Sequence, residues 1–481
     1  MSGIRLWAAL VLAAVMGGTA AFGSLYDGDE AVYAELARTM RETGDFLTLR
    51  LSGHPVHQRP PGYPWVLAAF TAVLGESELV LRLPSVVATA ATAILLGSLV
   101  GRLAGSQVAG ALAAVLFASL GMTWKYGRSV ESDPLLVLLC VAAVERLVAA
   151  MEEEQAVRRR LAMFGALVGG ACMVKQVVGL FPLLGLVSWI AARPGDLRRL
   201  ARLSPWALVP AVVVWAPWHI AMSVAHGRAF WQGYLGFNVV ERAMRPLLAG
   251  TPPWYYLQVL WKVEGPVLAS VLFIGLGAGL LRRSTALVVA IPAALALLAF
   301  SVAQSRVDYY LLVVTPFLSA SVALLGHERF RPRARDQWIT ISLACMVAWA
   351  SHGLPSAVPL ERSREVRAVA EVAGAKARER GGARLVVVGV QPSAARYYSR
   401  LPTTRLLLDE AAYLRLAAID VFAVPSALAH HASAVHACAW LREERTLVLA
   451  RPCPDLDALT TAGCLGETLG QSGSVVLLPV K

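Results

Sequence analysis

Along the first 353 residues the apolar positions come in unbroken runs rather than in alternation with polar ones. The runs cover 4–23, 79–101, 106–123, 134–150, 161–174, 177–192, 205–222, 256–281, 284–303, 308–326 and 337–353. Most approach the ~20 residues that a helix needs to cross ~30 Å of hydrocarbon, and the fifth and sixth are short. A membrane barrel would instead show segments of ~10 residues with alternating hydrophobicity. Unsatisfied backbone groups are too costly in lipid for anything but helices or closed barrels, so the runs predict about eleven transmembrane helices. The apolar stretch 62–75 is shorter, contains proline and is flanked by loop residues, which predicts an interfacial or re-entrant helix. Residues 31–44 place Val32, Leu36 and Met40 on one helical face and Glu35, Arg38 and Glu42 elsewhere, the pattern of an amphipathic helix lying at the membrane surface.

Past residue 353 the pattern changes. Strand-like runs occupy 385–389, 421–425, 447–450 and 475–480, with helical stretches at 363–380, 409–417 and 431–443 between them. This predicts a small α/β domain over 354–481, behind a transmembrane domain over 1–353 whose loop 24–78 carries juxtamembrane helices. No glycine-rich phosphate loop follows the first of these strands, so nucleotide binding is not expected there.

Charge fixes the orientation. With the N-terminus inside, Arg5, Arg102, Arg158 to Arg160, Arg193, Arg198, Arg199, Arg202, Arg282, Arg283, Arg329, Arg331, Arg333 and Arg335 all fall on the inner side, as the positive-inside rule requires. Splitting 161–192 into two spans preserves that pattern. The segments 24–78, 124–133, 223–255 and 304–307 and the tail 354–481 then lie outside, on the periplasmic face of an inner or plasma membrane. The composition changes little: 57% hydrophobic, 16% charged and a mean hydropathy of +0.58 exclude a soluble or disordered chain, since soluble chains carry about 25% charge. The net charge of +12 is the inner arginine excess, so no nucleic-acid partner is expected. The first apolar run is long for a cleaved signal and is read as a retained anchor.

Cys140, Cys172 and Cys345 lie in apolar spans and act as small hydrophobes. Cys438, Cys453 and Cys464 lie in the outer tail, where oxidation is allowed, and a Cys453–Cys464 disulfide is expected. No paired cysteine motif suggests zinc, and His54 with His57, lacking a third ligand in register, reads as ordinary loop.

The chemistry-bearing residues cluster on the outer side. Asp27, Asp29 and Glu30 follow the first span, and Gln58-Arg59-Pro60-Pro61 leads into 62–75, the prolines holding Arg59 on extended backbone. Lys125, Arg128, Glu131 and Asp133 precede the fourth span, where Asp133 before Pro134 also suits a helix cap. Lys175 sits between two short spans, where a lysine snorkels or binds an anion. Asn238, Glu241, Arg242, Trp254, Tyr255 and Tyr256 come later, then Arg306, Asp308, Tyr309 and Tyr310. Carboxylates and cations on one face suit transfer from a lipid-linked phosphate to a hydroxyl. A cation stabilises the departing phosphate and a carboxylate takes the acceptor's proton. A transporter or flippase would concentrate its ionisable groups at mid-bilayer rather than at span ends. A non-catalytic glycan-assembly subunit is the other alternative.

The order of motifs is familiar. Asp29-Glu30 with Tyr33-Ala34, then Ala37-Arg38-Thr39-Met40, Gly44-Asp45 and Arg59-Pro60-Pro61, resembles the first outer loop of GT-C glycosyltransferases. It is most like the aminoarabinose lipid A transferase and protein O-mannosyltransferase-like group, whose form is DE-x-x-YA, AR-x-M, GD and KPP. Arg82-Leu83-Pro84-Ser85, the Arg128 to Asp133 loop, the Lys175 turn, the Arg242 to Tyr256 segment and the tyrosine-rich start of the tenth span follow in the same order over residues 1–326. The resemblance implies a polytopic all-α GT-C membrane enzyme with an extracytoplasmic α/β tail. Its partners would be membrane lipids, a polyprenyl-phosphate sugar donor and a lipid, glycan or protein acceptor, and its reaction inverts the anomeric centre. It implies Asp29 as the catalytic carboxylate with Glu30 beside it, and Asp133 as the second acidic residue. Arg59 would grip the donor phosphate, while Lys175, Arg242, Tyr310 and Arg306 line the donor site. The family's acidic residue before KPP helps bind a metal; here it is Gln58, so the resemblance leaves a divalent metal open while removing one of its ligands. Val32 replaces a frequent arginine, and Arg59 replaces lysine, which keeps the charge and changes the geometry.

Overall fold

The structure is a computed structural model that describes residues 2–26, 28–153, 155–244, 251–281, 285–329, 363–379, 381–419 and 428–481. In chain order the helices are α1 (Ser2–Ala20), α2 (Asp29–Thr43), α3 (Gly62–Leu74), α4 (Glu78–Leu103), α5 (Gln107–Ser119), α6 (Gly121–Tyr126) and α7 (Ser132–Glu152). Then come α8 (Val157–Lys175), α9 (Pro182–Ala192), α10 (Leu197–Leu203), α11 (Pro205–Trp231), α12 (Arg242–Met244), α13 (Tyr255–Leu281), α14 (Leu287–Val302) and α15 (Thr315–Arg329). The tail adds α16 (Arg364–Glu379), α17 (Pro392–Ser399), α18 (Glu410–Ile419), α19 (Ala434–Arg442) and α20 (Pro454–Thr461). The strands are β1 (Arg50–Leu51), β2 (His54–Pro55), β3 (Arg384–Val388), β4 (Thr403–Leu407), β5 (Leu428–His430), β6 (Thr446–Ala450), β7 (Gly470–Ser472) and β8 (Val475–Pro479). The chain forms two compact units, one of Met1–Ala21, His57–Val66 and Arg82–Val358, the other of Phe22–Val56, Leu67–Leu81 and Pro359–Lys481.

The first unit is a bundle of apolar helices. Among the described residues six helices are long and apolar enough to cross a membrane: Glu78–Leu103, Ser132–Glu152, Val157–Leu180, Pro205–Glu241, Tyr255–Leu281 and Asp308–His327. Ala9–Ala20, Gln107–Ser119, Pro182–Ala192 and Leu287–Val302 are apolar but shorter. Each apolar run expected from 4–23 to 308–326 coincides with one of these helices. The run 337–353 lies outside the described residues, as do Asp27, Arg282, Arg283, Arg331, Arg333, Arg335 and the expected strand 421–425. Helix α8 is gripped by α7 and α11. Its approach to α11 depends on small residues: a Cβ on Gly165 would lie 1.8 Å from the Ala207 carbonyl oxygen, so only glycine lets the backbones meet. At the chain-wise end of α7, Glu145 is fully buried and accepts from Ser98 Oγ at 3.1 Å and Arg102 Nε at 3.1 Å. It also pairs with Arg146, and Glu153 joins Arg102 to Arg160.

In the second unit a six-stranded sheet runs β5-β4-β3-β6-β8-β7. β5, β4, β3 and β6 are parallel, and β8 and β7 add antiparallel strands. Val386, Val388, Leu406, Val448 and Ala450 meet Ala437, Leu441 and Leu459 in its core. β4 and α17 were not legible as elements because each is short and carries polar residues among the apolar ones. The expected disulfide is corrected: Cys464 is bonded to Cys438 on α19, with Cα atoms 5.6 Å apart, and Cys453 is a free thiol. Eight-residue α20 stands between Cys453 and Cys464, and its rise of about 12 Å exceeds the ~7 Å over which two Cα atoms can be bridged. Helix α2 also belongs to this unit and packs against α17. It buries more than an amphipathic surface helix would, because Glu30 and Arg38 are covered along with Val32, Leu36 and Met40.

Candidate active site

In the helical bundle, three breaks in helices bring charged and aromatic side chains together. The first is the start of α7. Its cap position is Glu131, not Asp133, and no side chain caps it. Asp133 instead lies in the first turn, buried, with both carboxylate oxygens on Lys175 Nζ at 2.7 and 2.6 Å. The second break is the end of α8, where Lys175 leaves the helix and Gln176 takes φ 41°, a left-handed conformation that disfavours any side chain. The turn is held by Gln176 Nε2, which donates to the carbonyls of Gln58 at 2.9 Å and Tyr234 at 3.1 Å. The third is the 3₁₀ turn Asp308–Val313. It sets Tyr309 and Tyr310 beside the lysine, with Lys175 Nζ 4.6 and 5.2 Å from their ring centres.

A second ion pair adjoins the first. Lys125, on α6, donates to Asp308 at 2.5 Å, the Tyr126 hydroxyl also donates to Asp308, and the Tyr126 and Tyr309 rings meet edge-on at 6.2 Å. Helix α6 is aimed by a residue from far along the chain. Glu264 accepts the N–H groups of Gly121 at 2.7 Å and Met122 at 2.9 Å, satisfying donors that a helix start leaves open. Glu264 is free to turn there because Gly265 breaks α13 with φ 79° and ψ 161°.

The loop before α7 is braced as well. Ser85 Oγ donates to the Glu131 carbonyl at 3.2 Å and meets the Tyr63 hydroxyl at 3.0 Å. Arg128 is buried there, and burial together with the neighbouring Arg82 charge lowers its guanidinium to about 10. Arg59 lies half-buried in the bend before α3. Gly62 just behind it faces the Met173 carbonyl so closely that a Cβ would lie 2.4 Å away. His57 faces His226 at 4.7 Å between ring centres, and burial and that neighbour lower its imidazole. Arg306 donates to the carbonyls of Ser301 at 3.0 Å and Thr251 at 2.7 Å. Among the described residues no three of His, Cys, Asp and Glu converge as metal ligands.

The second unit holds Asp29 and Glu30 in the first turn of α2, where the helix dipole favours carboxylates. Glu30 is buried and accepts the Tyr26 N–H at 2.7 Å, while Asp29 is half-buried.

Of the residues expected from sequence, the bundle thus brings Asp133, Lys175 and Tyr310 into one cluster, with Arg306 joined to nearby backbone. Arg242 lies on α12, and its side chain is outside the described residues. Gln176 and Glu264 were missed. The charged Lys262-Val263-Glu264-Gly265-Pro266 interruption of an apolar run was the available signal for Glu264.

This architecture has counterparts among solved structures. It superposes on ArnT from Cupriavidus metallidurans bound to undecaprenyl phosphate with a TM-score of 0.77, 17% identity, and 99% of this chain and 98% of that one covered. The archaeal oligosaccharyltransferase AglB from Archaeoglobus fulgidus matches at a TM-score of 0.54, with 11% identity and 93% and 69% of the two chains covered.

In sequence the chain resembles the aminoarabinose transferase and mannosyltransferase-like group. Residues 58–220 match the dolichyl-phosphate-mannose-protein mannosyltransferase family. The undecaprenyl phosphate-alpha-4-amino-4-deoxy-L-arabinose arabinosyl transferase of Aeromonas salmonicida is 27% identical over 346 residues, covering 68% of this chain and 62% of that protein. Its counterpart in Erwinia tasmaniensis is 28% identical over 323 residues, covering 63% and 55%. The chain spans about half the length of the curated relatives it matches.

Proposed function

We propose that the protein is an inverting glycosyltransferase that moves a sugar from a polyprenyl-phosphate donor to an acceptor hydroxyl or phosphate on the outer face of the membrane. The observation that carries this reading is the Asp133–Lys175 pair beneath Tyr309 and Tyr310, at the end of a GT-C bundle. A lysine is a compact charge that can exchange a carboxylate for a phosphate without rebuilding its surroundings. In this reading Lys175, Arg59, Arg242, Arg306 and Tyr310 serve the donor side. Asp133 holds Lys175 in place and is the second acidic residue. Asp29, with Glu30 beside it, takes the proton of the acceptor oxygen.

That oxygen then bonds to the anomeric carbon as the carbon–phosphate-oxygen bond breaks. The electron pair leaves on the polyprenyl phosphate, whose charge the cations stabilise. Attack opposite the leaving group inverts the centre. Residues 1–353 form the transferase domain and 354–481 an extracytoplasmic domain. The relatives' names support an undecaprenyl-phosphate-linked sugar as donor.

The test is transfer from a radiolabelled polyprenyl-phosphate sugar by purified protein, with lipid, glycan and peptide acceptors in parallel. Product on the lipid arm, abolished by Asp29→Asn and reduced at least tenfold by Arg59→Ala, supports the reading. Undiminished turnover in both variants overturns the site assignment.

A further inference from the structure

The second unit contains a buried charged cluster that the transfer chemistry leaves unused. It is built on α17, whose last residues are Arg396-Tyr397-Tyr398-Ser399. The Tyr398 hydroxyl accepts the N–H of Leu25 at 2.7 Å and donates to Glu78 at 3.2 Å. The Tyr397 hydroxyl donates to Glu76 at 2.7 Å, and its carbonyl accepts from Arg38 Nη1 at 2.9 Å. The Arg38 guanidinium lies 3.9 Å over the Tyr397 ring and 3.4 Å from Glu76. One turn along α2, Glu35 faces Arg396 at 4.0 Å. Burial pushes the Glu35 carboxyl up, against the pull of Arg396 and Arg38.

All of these contacts except Arg38–Glu76 join residues more than three hundred positions apart, and together they grip α2 at two levels. Arg38 and Glu35 hold the shaft of the helix. Tyr398 holds Leu25, in the strand of chain that enters it. Between that anchor and the helix, the Tyr26 N–H ends on Glu30. Leu25 and Tyr26, just before the helix, are therefore each tied through their N–H to a side-chain acceptor. Burying so many charges is a poor way to gain stability, because apolar side chains of the same volume would do as well or better. What a charged, hydrogen-bonded cluster adds is direction: each bond fixes an angle as well as a distance.

We propose that the α/β domain acts as a positioning clamp for the carboxylate-bearing start of α2, with Tyr398 as its principal positioning residue. What the carboxylates do rests on the transferase reading; that they are held by α17 does not. Tyr398 touches no reacting atom. It acts through Leu25 and the turn that follows, so its loss leaves donor binding intact and lets the carboxylates stray, and small misplacements of a reacting group cost up to about 100-fold in rate.

The experiment compares Tyr398→Phe with Tyr413→Phe, a tyrosine on α18 of the same domain, in the full chain in lipid nanodiscs. Hydrogen exchange of the peptide spanning Leu25 to Asp29 and steady-state sugar transfer are both measured. For Tyr398→Phe we expect exchange at Leu25 to rise about tenfold or more. The turnover number should fall about tenfold with donor KM within a factor of about two. Tyr413→Phe should change neither. Unchanged exchange in Tyr398→Phe overturns the clamp whatever the activity, and raised exchange with unchanged turnover overturns its role in positioning. If the wild-type protein transfers no sugar, the transferase reading falls, and the exchange result alone decides whether α17 anchors the chain at Leu25.

Discussion

At one end of α7 the Asp133 carboxylate faces a lysine, and at the other the Glu145 carboxylate faces arginines. Both carboxylates are buried, and both are paired, but their partners differ in kind. Around Glu145 the side chains come from the bodies and ends of α4, α7 and α8, and the arginines hold two acids through several donors at once. That arrangement joins helices and leaves little to rearrange. Around Asp133 the partners stand on breaks: Lys175 on the strained end of α8, Asp308 and the tyrosines on a 3₁₀ turn, and Lys125 on a short helix. Both carboxylates are closed off and the cations stay partly exposed in both places, so what separates the two is how the partners are attached. The difference teaches how to tell a brace from a site in a helical bundle. A brace consists of multidentate pairs between continuous helices, whereas single-point charges on interrupted helices can exchange one anion for another.

The largest effect that would test this contrast is at Asp133. Asp133→Asn should lower turnover about 100-fold or more while moving the melting temperature in detergent by only a few degrees. A matching loss in Glu145→Gln, normalised to folded protein, would erase the distinction. Next, Lys175→Ala should raise the donor KM at least about tenfold, read by titration with a polyprenyl-phosphate sugar. An unchanged KM would move the phosphate site elsewhere. Glu264→Gln keeps one acceptor oxygen for α6 and gives up the other, so catalytic efficiency should fall about fivefold, with recovery in Glu264→Asp absent because the shorter side chain cannot span the gap. At the far end, Glu145→Ala should cost about 1–3 kcal/mol in thermal or denaturant unfolding, with turnover per folded molecule within a factor of about two of wild type. Smallest, Tyr310→Phe keeps the ring that faces Lys175, so its effect should stay within about threefold in the same transfer assay.

The helices were legible because lipid acts on each residue in turn. Every position of a spanning helix must tolerate hydrocarbon, so the apolar runs announce themselves without reference to any other part of the chain. Charged residues next to those runs are conspicuous for the same reason, which made Asp133 and Lys175 legible, whereas the place of Tyr310 rested on the family resemblance. Glu264 escaped, although it too interrupts an apolar run, because its role appears only where a break in α13 meets the start of α6. Gln176 escaped because glutamine after a helix is unremarkable until its φ and its two acceptor carbonyls are known. The disulfide failed in the opposite way: nearness along the chain favoured Cys453, and a helix in between carried it out of reach of Cys464.

Sequence by itself therefore determined the solvent of this protein, the order of its helices and the change of character at the tail. Those properties add up residue by residue and need no knowledge of neighbours in space. Only the tertiary structure decided which charges meet, and that α2 is held by α17 from the far end of the chain. Ion pairs and hydrogen bonds act over a few ångströms and depend on angle, so they are set by the folding of distant segments onto one another, which no local pattern records.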